Sequence, residues 1–345
     1  MYLDNLKELC SLNGVSGDES RVRNYILDKI KPYVDSTQID SMGNVIALKK
    51  GTNPDSKKIM VCAHMDEVGF IVSDVTDEGF VKFKEVGGFD PRILLTQKVV
   101  IDSSSGQIKG VMGIKAVHLQ TADERKKVAP IDSMYIDIGA SSRGDALKFV
   151  SKGDYATFDS EYRELGEGLI KAKALDDRAG CALMLELVKN KYECDIYYCF
   201  TTQEEVGLRG AGVVARRLSA DIAIILESTT AADVPFVDDY LKCTVQGDGP
   251  AVSIMDRASY SDKNLNKFVC DTADMANVKY QFKKTTAGGN DAGSIQIAAN
   301  AVRTCVISLP CRYIHSPVST VRKNDINEMY ALVNNLLKNI KQFEI

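Results

Sequence analysis

Four apolar runs in this chain each lead into residues that ligate metals, and that pattern constrains the fold more than any other feature. Ile59-Met60-Val61-Cys62-Ala63 runs into His64. The run Ile196 to Thr202 is followed by Glu204-Glu205, and Ile222 to Leu226 by Glu227. The run Thr304 to Leu309 is followed, a few residues on, by His315. Short continuous apolar runs suit the buried strands of a parallel sheet. In open α/β sheets, ligands bind outside the carboxyl ends of the strands. Strand ends carrying His, Glu-Glu, Glu and His therefore predict one site, with the donor chemistry of a borderline or hard divalent metal.

The rest of the chain changes character twice. Tyr2 to Leu12 and Arg21 to Val34 carry apolar residues at helical spacing, on either side of the turn Gly14-Val15-Ser16-Gly17. From Val68 to about Tyr162 the signal is β. Val68 to Val75 and Phe80 to Val86 flank the turn Thr76-Asp77-Glu78-Gly79, and Val99 to Asp102 and Gln107 to Val111 flank Ser103-Ser104-Ser105-Gly106. From Leu165 onward strands alternate with helices, the pattern of parallel βαβ units. The simplest architecture is one α/β domain built from residues 1–67 and 165–345, with a β module of residues 68–164 inserted. So long a segment is too long to be a structureless loop.

Composition excludes several classes of function. The 345 residues are 45% hydrophobic, enough for a sizeable core, and the net charge of -4 is too small to imply a nucleic-acid or anionic-membrane partner. No run approaches the length of a membrane span, and the opening Met1-Tyr2-Leu3-Asp4-Asn5 lacks a secretory pattern. Nine cysteines, several inside apolar runs and none in a CxxC pair, read as buried thiols of a reducing compartment. The expected location is the cytoplasm.

Chemistry concentrates in four short stretches. His64-Met65-Asp66 places two donors on one face of an extended segment. A carboxylate there can orient a metal-bound imidazole through its second nitrogen. Asp176-Asp177 stands where the chain turns into a helix. Capping the helix explains one aspartate but not two, and a carboxylate can bridge two ions. Glu204-Glu205 would repel at the end of a buried strand unless a cation divides their tasks. One can bind metal while its neighbour handles the proton of the attacking water. With Glu227 and His315, the ligand types in chain order are His, Asp, Glu, Glu, His, which match a two-metal site.

Taken together, these stretches resemble a known family, the tetrahedral-particle dinuclear metallo-aminopeptidases, among them glutamyl and deblocking aminopeptidases often labelled endoglucanase. The likeness runs from Gly14-Val15-Ser16-Gly17-Asp18-Glu19 through Ala63-His64-Met65-Asp66-Glu67-Val68-Gly69-Phe70, Leu175-Asp176-Asp177-Arg178 and Glu204-Glu205-Val206-Gly207 to Arg312-Tyr313-Ile314-His315-Ser316. It implies a zinc-exopeptidase-like fold: a mixed, largely parallel sheet flanked by helices, with a small inserted β-barrel for dimerisation. It implies that His64 and Glu227 hold one divalent ion, Glu205 and His315 a second, and Asp176 both. Zinc is the first choice, cobalt or manganese the others. Glu204 becomes the general base and acid, and Asp66 supports His64. The Asp176–Asp177 bond is expected to be cis, and dimers are expected to build a dodecamer. Two departures stand out. Glu227 replaces an aspartate common in the family, and Asn290, in Gly288-Gly289-Asn290-Asp291-Ala292-Gly293, replaces a threonine. His118 lies in the inserted module, where it is either structural or reaches a partner subunit's site.

The expected activity is removal of N-terminal residues from short peptides. A related-fold deacylase of N-acyl amino acids would use the same metals and base. An endoglucanase fits the chemistry poorly, since glycosidases pair two carboxylates across the bond without metal. A non-catalytic assembly protein would have no use for Glu204.

Overall fold

The structure is a computed structural model that describes residues 2–53, 57–298 and 301–344. The four apolar runs form the strands Lys58–His64, Asp195–Thr201, Ile222–Thr230 and Arg303–Arg312. They lie parallel and adjacent, with Asp195–Thr201 first, then Lys58–His64, Ile222–Thr230 and Arg303–Arg312. Registry pairs Thr201 with His64 and Glu227 with Ser308. The strand ends that carry donor residues therefore open on one edge of the sheet. Antiparallel strands extend both flanks to an 11-stranded mixed sheet.

Alternation along these strands explains why they read as continuous apolar runs. In Lys58–His64, the side chains of Ile59, Val61 and Ala63 enter one core, with Leu6, Ile26, Leu183, Val269 and Leu336 from the helices Tyr2–Ser11, Ser20–Ile30, Leu175–Leu187, Lys263–Met275 and Lys323–Asn339. Met60 and Cys62 enter the opposite core, against Ala211, Val214 and Ile295 of Arg209–Arg217 and Ala292–Ile295. Both faces are covered, so no position on the strand is free to be polar until the chain leaves the sheet.

The β-rich segment forms a closed barrel of the strands Gly69–Val75, Val81–Val86, Lys98–Ser103, Gly106–Gly113, Tyr135–Asp137 and Tyr155–Phe158. Phe70 fills its centre, edge-on to Phe83 at 5.2 Å and to Phe158 at 5.3 Å. The expected fold class, a mixed α/β sheet with an inserted barrel, is the one observed. His118 sits in the one-turn segment Val117–Leu119 on this barrel and is exposed.

A buried charge network ties the barrel to the sheet. Glu67, 2% exposed, accepts from Lys173 Nζ at 2.6 and 2.8 Å, from Gly14 N at 3.1 Å, and from the hydroxyl of Thr157 in the barrel at 3.0 Å. Arg178, fully buried, donates to the carbonyls of Met65 at 2.7 Å, Leu9 at 2.6 Å and Leu12 at 3.2 Å. Removing one member of such a network leaves charge and carbonyls unpaired, which costs about 3–5 kcal/mol. Arg178→Met is expected to lower the urea midpoint by a corresponding amount; an unchanged midpoint would show that the network carries little stability.

Candidate metal centre

Five side chains from five separate segments converge beyond the strand ends. His64 Nε2 lies 3.2 Å from Asp176 Oδ1 and 3.5 Å from Glu227 Oε1. His315 Nε2 lies 3.3 Å from Asp176 Oδ2 and 3.3 Å from Glu205 Oε2. Two donor groups result, His64–Asp176–Glu227 and Asp176–Glu205–His315, and Asp176 gives one oxygen to each. Donors held about 2.0–2.1 Å from a tetrahedral ion stand roughly 3.3 Å from one another. The separations, the imidazole and carboxylate donors and their burial therefore fit divalent metal. The longer side chain of Glu227 reaches its group without difficulty.

The tautomers fit as well. His64 Nδ1 is 3.1 Å from the carbonyl oxygen of Asp66, and His315 Nδ1 is 2.7 Å from that of Gly88. A carbonyl can only accept, so Nδ1 carries the proton in both rings and Nε2 is left to ligate. Asp66 was expected to support His64, and it does so through its backbone; its carboxylate Oδ1 is 3.6 Å from Nδ1. That carboxylate instead accepts from Glu204 N at 3.0 Å, Glu205 N at 3.1 Å and the Ser16 hydroxyl at 2.6 Å. It holds the Glu204–Glu205 turn. Gln203 enters this turn with φ +57°, and Gly207, at φ +120°, leaves it with its N–H on the Glu204 carbonyl at 2.9 Å.

Asp176 and Asp177 divide their tasks. The bond between them is cis, and both lie outside helical geometry although Leu175 begins the helical segment. Asp177 Oδ1 accepts from Gly180 N at 2.9 Å, as a helix cap does, while Asp176 faces the centre.

Burial first, and then the crowding of like charges, raise three of these carboxyls. Burial, then Glu227, Glu205 and Asp291, push Glu204 well above the usual carboxylate range, against the pull of His64. Burial, then Asp176, raise Glu227 to about 8. Burial raises Glu205 to about 7, with His315 opposing and Asp176 adding. Burial works against a charge on His64, but Glu227, Asp176 and Asp66 carry it well above its ordinary value. Four carboxyls this close are compatible with ionisation only beside positive charge.

Glu204 is 8% exposed and belongs to neither donor group, yet it lines the same cavity of about 570 Å³ as Asp176, Glu205, Glu227 and His315. Of the seven residues expected at the site, five line this cavity; His64 and Asp66 lie behind it. Three participants were given no role from the sequence. Gly88 acts through its carbonyl, from the barrel. Ser16 acts through Asp66. Asp291, 1% exposed, accepts from the Thr201 hydroxyl at 2.6 Å and is raised by burial to about 6. The loop containing Asp291 stood out in the sequence for its glycines and for Asn290, not for Asp291. Asn290 is buried there, bonded to Asp256 at 2.7 Å and to the N–H of Ala292 at 3.0 Å.

Known proteins resemble this chain in sequence and fold. The family described as M42 glutamyl aminopeptidase matches residues 43–332. Lysyl aminopeptidase of Pyrococcus furiosus is 32% identical over 98% of this chain and 97% of its own. The solved aminopeptidase APDkam598 of Desulfurococcus kamchatkensis superposes with a TM-score of 0.94 at 36% identity, covering 98% and 94% of the two chains. The TET1 peptidase of Pyrococcus horikoshii, described as assembling into a tetrahedron or a large octahedral shell, superposes with a TM-score of 0.87 at 31% identity, covering 98% and 99%.

Proposed function

The chain belongs to the M42 glutamyl aminopeptidase family, and we propose that it removes N-terminal residues from short peptides at a pair of divalent ions. His64, Asp176 and Glu227 would hold one ion and Asp176, Glu205 and His315 the other. The division of the Asp176 carboxylate between the two donor groups is the observation that supports this reading most. Zinc suits imidazole and carboxylate donors, and cobalt or manganese accept the same set. Bound there, divalent ions acidify a water and polarise the scissile carbonyl.

The chain's own residues supply the rest. Glu204 takes the proton of the attacking water and returns it to the leaving amine. Asp66 holds the backbone of Glu204 and Glu205, so the base is oriented before substrate arrives. The acidic floor of the cavity favours a free ammonium terminus. Release of amino acid from aminoacyl anilides, with none from N-acyl amino acids, tests this activity. The opposite result would make the protein a deacylase.

The barrel is the proposed assembly module, spanning about residues 68–164 between the catalytic segments 1–67 and 165–345. It exposes Val117 at 64%, Leu119 at 62% and Val128 at 54%, apolar surface of the kind that self-association covers. Dimers formed there and set along the six edges of a tetrahedron give a dodecamer. The double variant Val117→Asp, Leu119→Asp is expected to sediment as a smaller species than the native chain. An unchanged sedimentation coefficient would remove these residues from the interface. No described helix is long and apolar enough to cross a membrane. Eight of the nine cysteines are buried, and a reducing compartment, the cytoplasm, is the proposed location.

A further inference from the structure

One buried carboxyl beside the centre has no task in metal binding or proton transfer. Glu19 belongs to neither donor group and does not line the cavity, yet it is only 3% exposed. It precedes the helix Ser20–Ile30, where a side-chain oxygen commonly satisfies free N–H groups, but its side chain makes no cap. It turns away from its own helix instead. One oxygen, Oε1, accepts from Gly17 N at 2.8 Å and, across 184 positions of chain, from Gln203 N at 3.2 Å. Burial raises this carboxyl to about 7, with the Gly17 N–H opposing and Asp66 adding. Such a group is costly to bury unless it is hydrogen-bonded, and one of its two bonds leads to the catalytic turn.

The bond to Gln203 completes a pattern. Four consecutive backbone N–H groups, Thr202 to Glu205, are each taken by a side-chain oxygen. The acceptors are Asn44 Oδ1 at 2.9 Å, Glu19 Oε1 at 3.2 Å, Asp66 Oδ1 at 3.0 Å and Asp66 Oδ2 at 3.1 Å. The strand Asp195–Thr201 ends just before them, so the sheet no longer fixes these residues. Gln203 alone of the four lies in the left-handed region, at φ +57°. A conformation of that kind persists only where the surroundings over-determine it. The direction the chain takes at Gln203 sets where Glu204 points.

The segment that carries Glu19 is itself held. Glu67 N donates to the Gly14 carbonyl at 3.0 Å, Ser16 N to the Glu67 carbonyl at 3.3 Å, and the Ser16 hydroxyl to Asp66 at 2.6 Å. From the barrel, Asp102 accepts from Asn13 Nδ2 at 2.9 Å and pairs with Arg21. Residues 13–21 are therefore fixed to the barrel on one side and to the catalytic turn on the other.

We propose that Glu19 is a positioning residue for the general base: by holding the Gln203 N–H it fixes the left-handed entry to the Glu204–Glu205 turn. The proposal rests on the aminopeptidase reading, with Glu204 as the base. The role asks for one acceptor oxygen at the right reach, not for a charge.

The test measures turnover of Ala-, Leu-, Glu- and Lys-p-nitroanilides, bound metal, and amide hydrogen exchange over residues 202–206. It compares native protein with Glu19→Ala, Glu19→Asp and Glu19→Gln. Glu19→Ala should lose roughly 10- to 100-fold in kcat, the scale of a slightly misplaced catalytic group, with KM and bound metal little changed. Its amides at Gln203 and the residues beside it should exchange faster. Glu19→Asp keeps the charge but shortens the arm, and should behave in the same way; it carries the test if the alanine variant does not fold. Glu19→Gln keeps an acceptor oxygen and should recover most of both losses. Native kcat in a folded Glu19→Ala or Glu19→Asp protein, no recovery in Glu19→Gln, or a loss that tracks bound metal would overturn the proposal while leaving the aminopeptidase reading in place. Failure of the metal-loaded native protein to cleave any anilide would overturn both.

Discussion

Glu204→Gln is expected to keep both metal sites and near-normal substrate binding while losing about 10²- to 10⁴-fold in turnover, the contribution of general acid–base catalysis. The exchange preserves shape and removes only the ability to take a proton. Glu204 lies outside both donor groups, and its backbone N–H is fixed on Asp66 at 3.0 Å, so the turn should survive. Glu205→Gln should behave differently. Its Oε2 is 3.3 Å from His315 Nε2 within a donor group, so it should weaken one ion and recover in part with excess metal. Metal content and turnover of the two variants check the division of labour. A metal-depleted Glu204→Gln beside a metal-replete, inactive Glu205→Gln would reverse the assignment.

Asp176→Ala is expected to weaken both ions together and to reduce turnover to background. Its two oxygens lie 3.2 Å from His64 Nε2 and 3.3 Å from His315 Nε2, so both donor groups lose a member in one substitution. Loss of outer-shell support alone costs about 10- to 100-fold in metal affinity, and loss of a direct ligand should exceed that for each ion. Glu227→Gln should weaken only one. Metal analysis after dialysis distinguishes the cases: an Asp176→Ala protein that holds one ion at native affinity would show that the carboxylate serves a single site.

Residues fixed by short-range pattern were legible in the sequence. His64, Glu204, Glu205 and Glu227 stand at the ends of apolar runs, and parallel strands must bring those ends to one edge. His315 was legible for the same reason, although several residues separate it from its run. It adopts φ +58°, a conformation uncommon for a residue other than glycine and frequent at functional sites. The parts that were not legible depend on which atom of a residue is used, or on contacts between distant segments. Asp66 was visible as a carboxylate near a histidine, but it orients His64 with its carbonyl and spends the carboxylate on the Glu204–Glu205 turn. Gly88 contributes a backbone oxygen from the barrel, which no side-chain pattern records. Asp291 and Thr201 meet across 90 positions of chain.

The five-residue group is proposed to bind two divalent ions on which turnover depends. Metal-free protein should be titrated with Co²⁺ or Zn²⁺ while bound metal per chain and aminoacyl-anilide hydrolysis are followed together. Negligible hydrolysis is expected at the start, two ions bound per chain at saturation, and activity that rises with their occupancy. Full hydrolysis by metal-free protein, or saturation at a single ion per chain, would contradict it.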